Sequence, residues 1–117
     1  MQVSPTSIAG AFMDHFGTLH PNARMDTLHY GCDADLGDAC SVRLDDVRIR
    51  VEYALDGELT VYEGRAIGPG HYCLESPQVE GHATLHQVPN SRYLEGAWVE
   101  GGERGMWRIE LLEPAAA

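Results

Sequence analysis

Residues 79–112 hold three runs in which small or apolar side chains alternate with polar ones, each closed by turn residues. Gly81-His82-Ala83-Thr84-Leu85-His86 ends at Pro89-Asn90-Ser91, the run over 93–100 ends at Gly101-Gly102, and 106–111 completes the series. A period of two broken by turn residues predicts an antiparallel meander. The pattern continues upstream. Val47, Ile49, Val51 and Tyr53 share one face of residues 47–54, with Arg48, Arg50 and Glu52 on the other. Asp56-Gly57 is a hairpin signal leading into 59–67, and Gly68-Pro69-Gly70 turns the chain into 71–75. Strands over 40–44 and 25–30 bring the expectation to about eight.

One segment has a different period. Ile8, Phe12 and Phe16 recur every fourth residue after Ser4-Pro5, which suit the N-cap and first helical positions. Gly17 and Pro21 would end that helix. The pattern predicts one helix over 4–17, strands over 25–112 and a single domain over 1–117. With no second helix to support a parallel sheet, the predicted fold is mainly β: an antiparallel barrel or strongly curved meander sheet. Glu-Gly recurs at Glu63-Gly64, Glu80-Gly81 and Glu95-Gly96. The preferred reading is glycine placed where barrel strands coil.

Charge narrows the functional classes. There are 18 acidic side chains against 8 basic ones, all arginine, for a net charge of −10. Residues 1–57 and 58–117 each carry nine acids and four arginines, so the excess is not a tail. This balance argues against direct nucleic-acid binding and against an anionic membrane surface; solubility alone is the plainer reading of it, and it also permits a basic protein partner. The start of the chain lacks a signal-peptide pattern and no run reaches membrane-span length. A cytoplasmic setting with free thiols is expected for Cys32, Cys40 and Cys73, although a Cys32–Cys40 bridge would suit an exported chain.

Candidate chemistry adds little. His82 and His86 share a strand face but lie about 13 Å apart, too far for one ion. A site would need His71 from the neighbouring strand and a carboxylate such as Glu80; solvated surface histidines are the plainer reading. Asp33-Ala34-Asp35-Leu36-Gly37-Asp38 begins like a calcium loop, but Asp38 stands at the glycine position and Leu44 at the bidentate glutamate. Cys40 belongs in a core, and neither it nor Cys73 adjoins a group that would activate it. No phosphate loop is present. The expectation is no catalytic residue, no metal and no cofactor.

The C-terminal half, through Gly96-Ala97-Trp98 and Gly105-Met106-Trp107-Arg108, resembles the closing strands of a calycin-type barrel, the lipocalin and avidin group. Residues 94–101 with Gly105 are also similar to a MORN-type hairpin repeat. Residues 5–67 resemble the front half of small acidic type III secretion chaperones, through Ala39-Cys40-Ser41-Val42-Arg43-Leu44-Asp45-Asp46 and the strands after it. The chaperone resemblance implies a homodimer that binds an extended protein segment. The first functional expectation is therefore a non-enzymatic acidic protein-binding module, an inhibitor or chaperone that occupies a basic surface of its partner. Its docking residues are expected in one loop, from Cys32 to Asp46, that gathers Asp33, Asp35, Asp38, Asp45 and Asp46. The alternative is a calycin-like barrel holding a small apolar or haem-like ligand near Tyr93, Trp98 and Trp107, with Tyr53, Tyr62 and Tyr72 either lining the same cavity or filling the core.

Overall fold

A computed structural model describes residues 16–115. Eight antiparallel strands, β1 (Thr18–His29), β2 (Asp35–Leu44), β3 (Arg48–Leu55), β4 (Glu58–Gly68), β5 (His71–Ser76), β6 (Gly81–Gln87), β7 (Tyr93–Glu100) and β8 (Glu103–Glu110), follow one another around a closed barrel. Closure comes from β1 pairing with β8, Met25 opposite Ile109 and Thr27 opposite Trp107. Each expected strand corresponds to an observed one. Of the two expected shapes, the chain adopts the closed barrel, in which every strand has a hydrogen-bonded neighbour on both sides.

The helix expected over 4–17 falls almost wholly outside the described residues. Residues 18–24, expected to follow that helix as a connection, instead form the first half of β1. Pro21 and Asn22 sit where the β1–β2 register shifts between His20 and Ala23, and such a bulge accommodates a residue that cannot donate to the ladder.

Alternation sorts the side chains. Val42, Ile49, Val51, Leu74, Leu85, Leu94 and Ile109 fill the interior at 0–1% exposure. Each such side chain contributes about 1.5–3 kcal/mol of burial free energy. The outer wall carries ion pairs such as Arg50–Glu52 and Arg108–Glu95. An apolar inside with a charged outside reverses the pattern of barrels that face lipid. Among the described residues, no helix is long and apolar enough to cross a membrane.

Glycine makes room for the large rings. Trp98 lies opposite Gly105, and Trp107 opposite Gly96. A Cβ on Gly105 would come within 2.7 Å of the Trp98 ring, and one on Gly81 would overlap the Tyr62 hydroxyl. The two ends of the barrel differ. At one end Tyr72 donates to the Asp45 carbonyl at 2.7 Å over an apolar interior. At the other end, where the β1–β2, β3–β4, β5–β6 and β7–β8 connections meet, inward positions become polar.

Candidate functional site at the barrel mouth

The polar end is the candidate site. The inward phase of β3, β4 and β7 that buries Val51, Tyr62 and Trp98 also carries Tyr53 and Glu100 to the mouth. Tyr62 and Tyr53 both donate to Glu100 Oε2, at 2.6 and 3.2 Å. Burial pushes both phenols upward, Glu100 adding through its charge and hydrogen bonds. They therefore stay protonated at neutral pH and act as donors to the carboxylate. Charge-assisted hydrogen bonds of this kind are among the stronger ones in proteins.

Aromatic rings brace this cluster. Tyr62 meets Trp107 edge-on at 4.9 Å, and Trp107 lies 6.4 Å from Trp98. The Trp98 indole donates to the Met106 carbonyl at 3.3 Å. His29 packs edge-on against Trp98 at 5.3 Å and holds Asp35 at 3.0 Å through Nε2. Between these groups lies a cavity of about 90 Å³, lined by Met25, Thr27, His29, Asp35, Asp38, Tyr53, Ala54, Leu55, Trp98, Glu100 and Trp107. Small-molecule pockets usually begin near about 300 Å³. At the mouth end of β5, Ser76 is fully buried and its hydroxyl has no hydrogen-bond partner among the described residues.

The expected acidic loop does not exist as one loop. Asp35–Leu44 is strand β2, which carries Asp33, Asp35 and Asp38 to the mouth and Asp45 and Asp46 to the opposite end. Ten strand residues span about 33 Å. Asp45 is a turn residue: its Oδ1 accepts from the Val47 and Arg48 amides at 2.7 and 2.8 Å. Those two bonds hold its carboxyl below the usual range.

The expected aromatic trio also divides. Trp98 and Trp107 are inside at 4% and 3% exposure, but Tyr93 is out of phase with Leu94 and lies on the outer wall. There Arg108 stacks on its ring at 4.3 Å. Sequence reasoning missed Glu100 and His29. Their only sequence signal is phase: Glu100 is two residues beyond Trp98, and His29 four beyond Met25, each on the buried face.

Cys40 is buried, and burial together with Asp38 pushes its thiol up to about 12; Cys32 and Cys73 are exposed, and all three are free. His71 and His86 pair across β5–β6 with their Nδ1 atoms 2.7 Å apart, whereas Glu80 precedes the far end of β6. Among the described residues, no group of three or more His, Cys, Asp or Glu could hold a metal ion. Comparisons with protein-family models, with curated proteins and with solved structures each find no match to this chain.

Proposed function

We propose that the protein is a non-enzymatic binding module that presents its acidic barrel mouth to a basic surface of a protein partner, as an inhibitor or a chaperone would. The observation that carries this reading is the segregation of charge between the two ends. The four mouth connections and the three strand residues flanking each side of them hold Asp33, Asp35, Asp56, Glu58, Glu75, Glu80, Glu100 and Glu103 against Arg104. The three connections at the opposite end, counted in the same way, hold Asp45, Asp46 and Glu95 against Arg43, Arg48, Arg50 and Arg92, and the end of β8 with the residues after it adds Glu110 and Glu113 against Arg108. A net charge spread evenly along the sequence thus becomes, among the described residues, an acidic end and an end where acids and arginines balance.

Such a field steers a cationic partner and sets its orientation. Tyr30, Leu55 and Leu59, each more than half exposed, supply apolar area beside the carboxylates. Apolar anchors inside a polar rim are the usual anatomy of a protein interface. The barrel is compatible with the calycin-like alternative as well, but the cavity beside Trp98 and Trp107 is only about 90 Å³, which favours the acidic-mouth reading.

The test is association kinetics with a partner captured from the native host, measured across salt concentrations. Replacing Asp33, Asp35 and Asp38 together with asparagine is expected to slow association several-fold at low salt. The difference should collapse at high salt, where screening acts over less than about 10 Å. Asp46→Asn, at the opposite end, should leave the rate unchanged. An unchanged rate in the triple variant at low salt, or capture of no partner, would overturn the reading.

A further inference from the structure

The mouth cavity is chemically unlike the rest of the surface. Its lining combines three carboxylates, Asp35, Asp38 and Glu100, with the aromatic side chains Tyr53, Trp98 and Trp107, and no arginine lines it. Elsewhere the arginines stand over aromatics on the outside: Arg48 over Phe16, Arg104 over Tyr30 and Arg108 over Tyr93. We propose that this cavity receives an alkylammonium group, the end of a lysine side chain carried by the basic partner. The inference rests on the acidic-mouth reading and names the contact at its centre.

Size, shape and charge each point the same way. At about 90 Å³ the cavity is small beside the roughly 300 Å³ at which small-molecule pockets begin, so it suits the end of one side chain better than a whole ligand. Trp98 and Trp107 lie with centroids 6.4 Å apart and planes tilted by 31°. A flat guanidinium sandwiched between two parallel rings needs about 7 Å, one carbon contact on each side, so this closer, tilted pair does not form a sandwich for arginine. A rounded ammonium needs none. A cation close to an indole ring is attracted by about 0.5–2 kcal/mol, the larger figure applying when water is excluded.

Glu100 supplies the counter-charge in a fixed position. Two tyrosine hydroxyls converge on one of its oxygens, and Tyr62 is itself locked by zero exposure and by its edge contact with Trp107. The carboxylate is therefore oriented before any ligand arrives, which lowers the ordering cost of binding. His29 does not compete for Glu100, because its Nε2 is engaged by Asp35.

The experiment follows tryptophan fluorescence of the whole protein during four titrations. n-Butylammonium tests the head group, and butan-1-ol, of the same length but uncharged, tests shape without charge. A short peptide with one central lysine tests the source, against the same peptide with norleucine. Saturable responses to butylammonium and to the lysine peptide, without responses to their neutral counterparts, are expected. Glu100→Gln, which keeps the acceptor for both tyrosines, should weaken butylammonium binding about tenfold. Asp38→Asn, at an exposed position, should weaken it by a smaller factor without touching the fold.

Equal responses to butylammonium and butan-1-ol would make the cavity merely apolar and overturn the inference, as would no response to butylammonium. A butylammonium response without a lysine-peptide response would overturn the lysine source in favour of a free amine. If these titrations fail while salt-dependent association at the mouth persists, the cavity inference falls and the acidic-mouth reading stands. Loss of both would remove both.

Discussion

Gly81→Ala is expected to destabilise the barrel by about 3 kcal/mol, and to do so through one atom of a residue 19 positions away. A Cβ at Gly81 would overlap the Tyr62 hydroxyl and lie 2.7 Å from Cζ and 3.1 Å from Cε2. Tyr62 cannot swing clear, because it is fully buried and abuts Trp107 at 4.9 Å. Overpacking of this kind costs about 1–3 kcal/mol. Pulling the hydroxyl away from the Glu100 carboxylate forfeits a hydrogen bond to a charged group, about 1.5–3 kcal/mol more. The lower part of that combined range is the expected value, since neighbouring side chains relax in part. At roughly 4 °C per kcal/mol for a domain of this size, Tm should fall by about 12 °C.

The mechanism is tested by a double-mutant cycle, with guanidinium unfolding followed by tryptophan fluorescence. Tyr62→Phe removes the overlapping hydroxyl and its hydrogen bond but leaves Cζ 2.7 Å from the new Cβ, so Gly81→Ala in that background should still cost about 1.5 kcal/mol, leaving a coupling of about 1.5 kcal/mol. Two results would refute the reasoning. One is a cost for Gly81→Ala below about 1 kcal/mol in the wild-type background. The other is the same cost in both backgrounds, within about 0.5 kcal/mol.

Two further outcomes are expected. Asp45, whose folded carboxyl lies below the ordinary 3.8 because of the Arg48 and Val47 amides, contributes stability that is present above that value. It is lost as pH falls through the folded value. A Tm gap between wild type and Asp45→Ala should therefore be present at neutral pH and close in strong acid; a gap that persists there would show that the turn amides are not its source. In the folded protein a thiol reagent should modify Cys32 and Cys73 but not Cys40, which is buried and has its thiol pushed up to about 12. Three fast-reacting thiols under native conditions would contradict the packing of β2 against the core.

The number and direction of strands were legible in the chain because alternation and turn residues are local. Burying Val47's neighbours Ile49 and Val51, and turning at Asp56-Gly57, requires nothing from distant residues. Val47 itself is exposed, since it falls in the turn held by Asp45 rather than in β3. The same local logic misread residues 18–24, where Gly17 and Pro21 suit a helix stop but also suit a strand entered through a bulge. Only pairing with Leu44, Arg43 and Val42 decides between them.

The site was less legible. Carboxylates close in sequence were expected to act together, yet a ten-residue strand carries Asp35 and Asp45 to opposite ends of the barrel. Tyr93 was grouped with two tryptophans, yet one residue of phase puts it outside while Leu94 goes in. Conversely, Tyr53, Tyr62 and Glu100 lie on three strands, with 47 positions separating Tyr53 from Glu100, and only barrel closure brings them together. Sequence by itself determined which faces are apolar, where the chain turns and the overall charge. Tertiary structure decided whether the sheet closes, which carboxylates share a rim and which rings share a cavity. Those outcomes depend on strand pairing and shear between residues far apart along the chain.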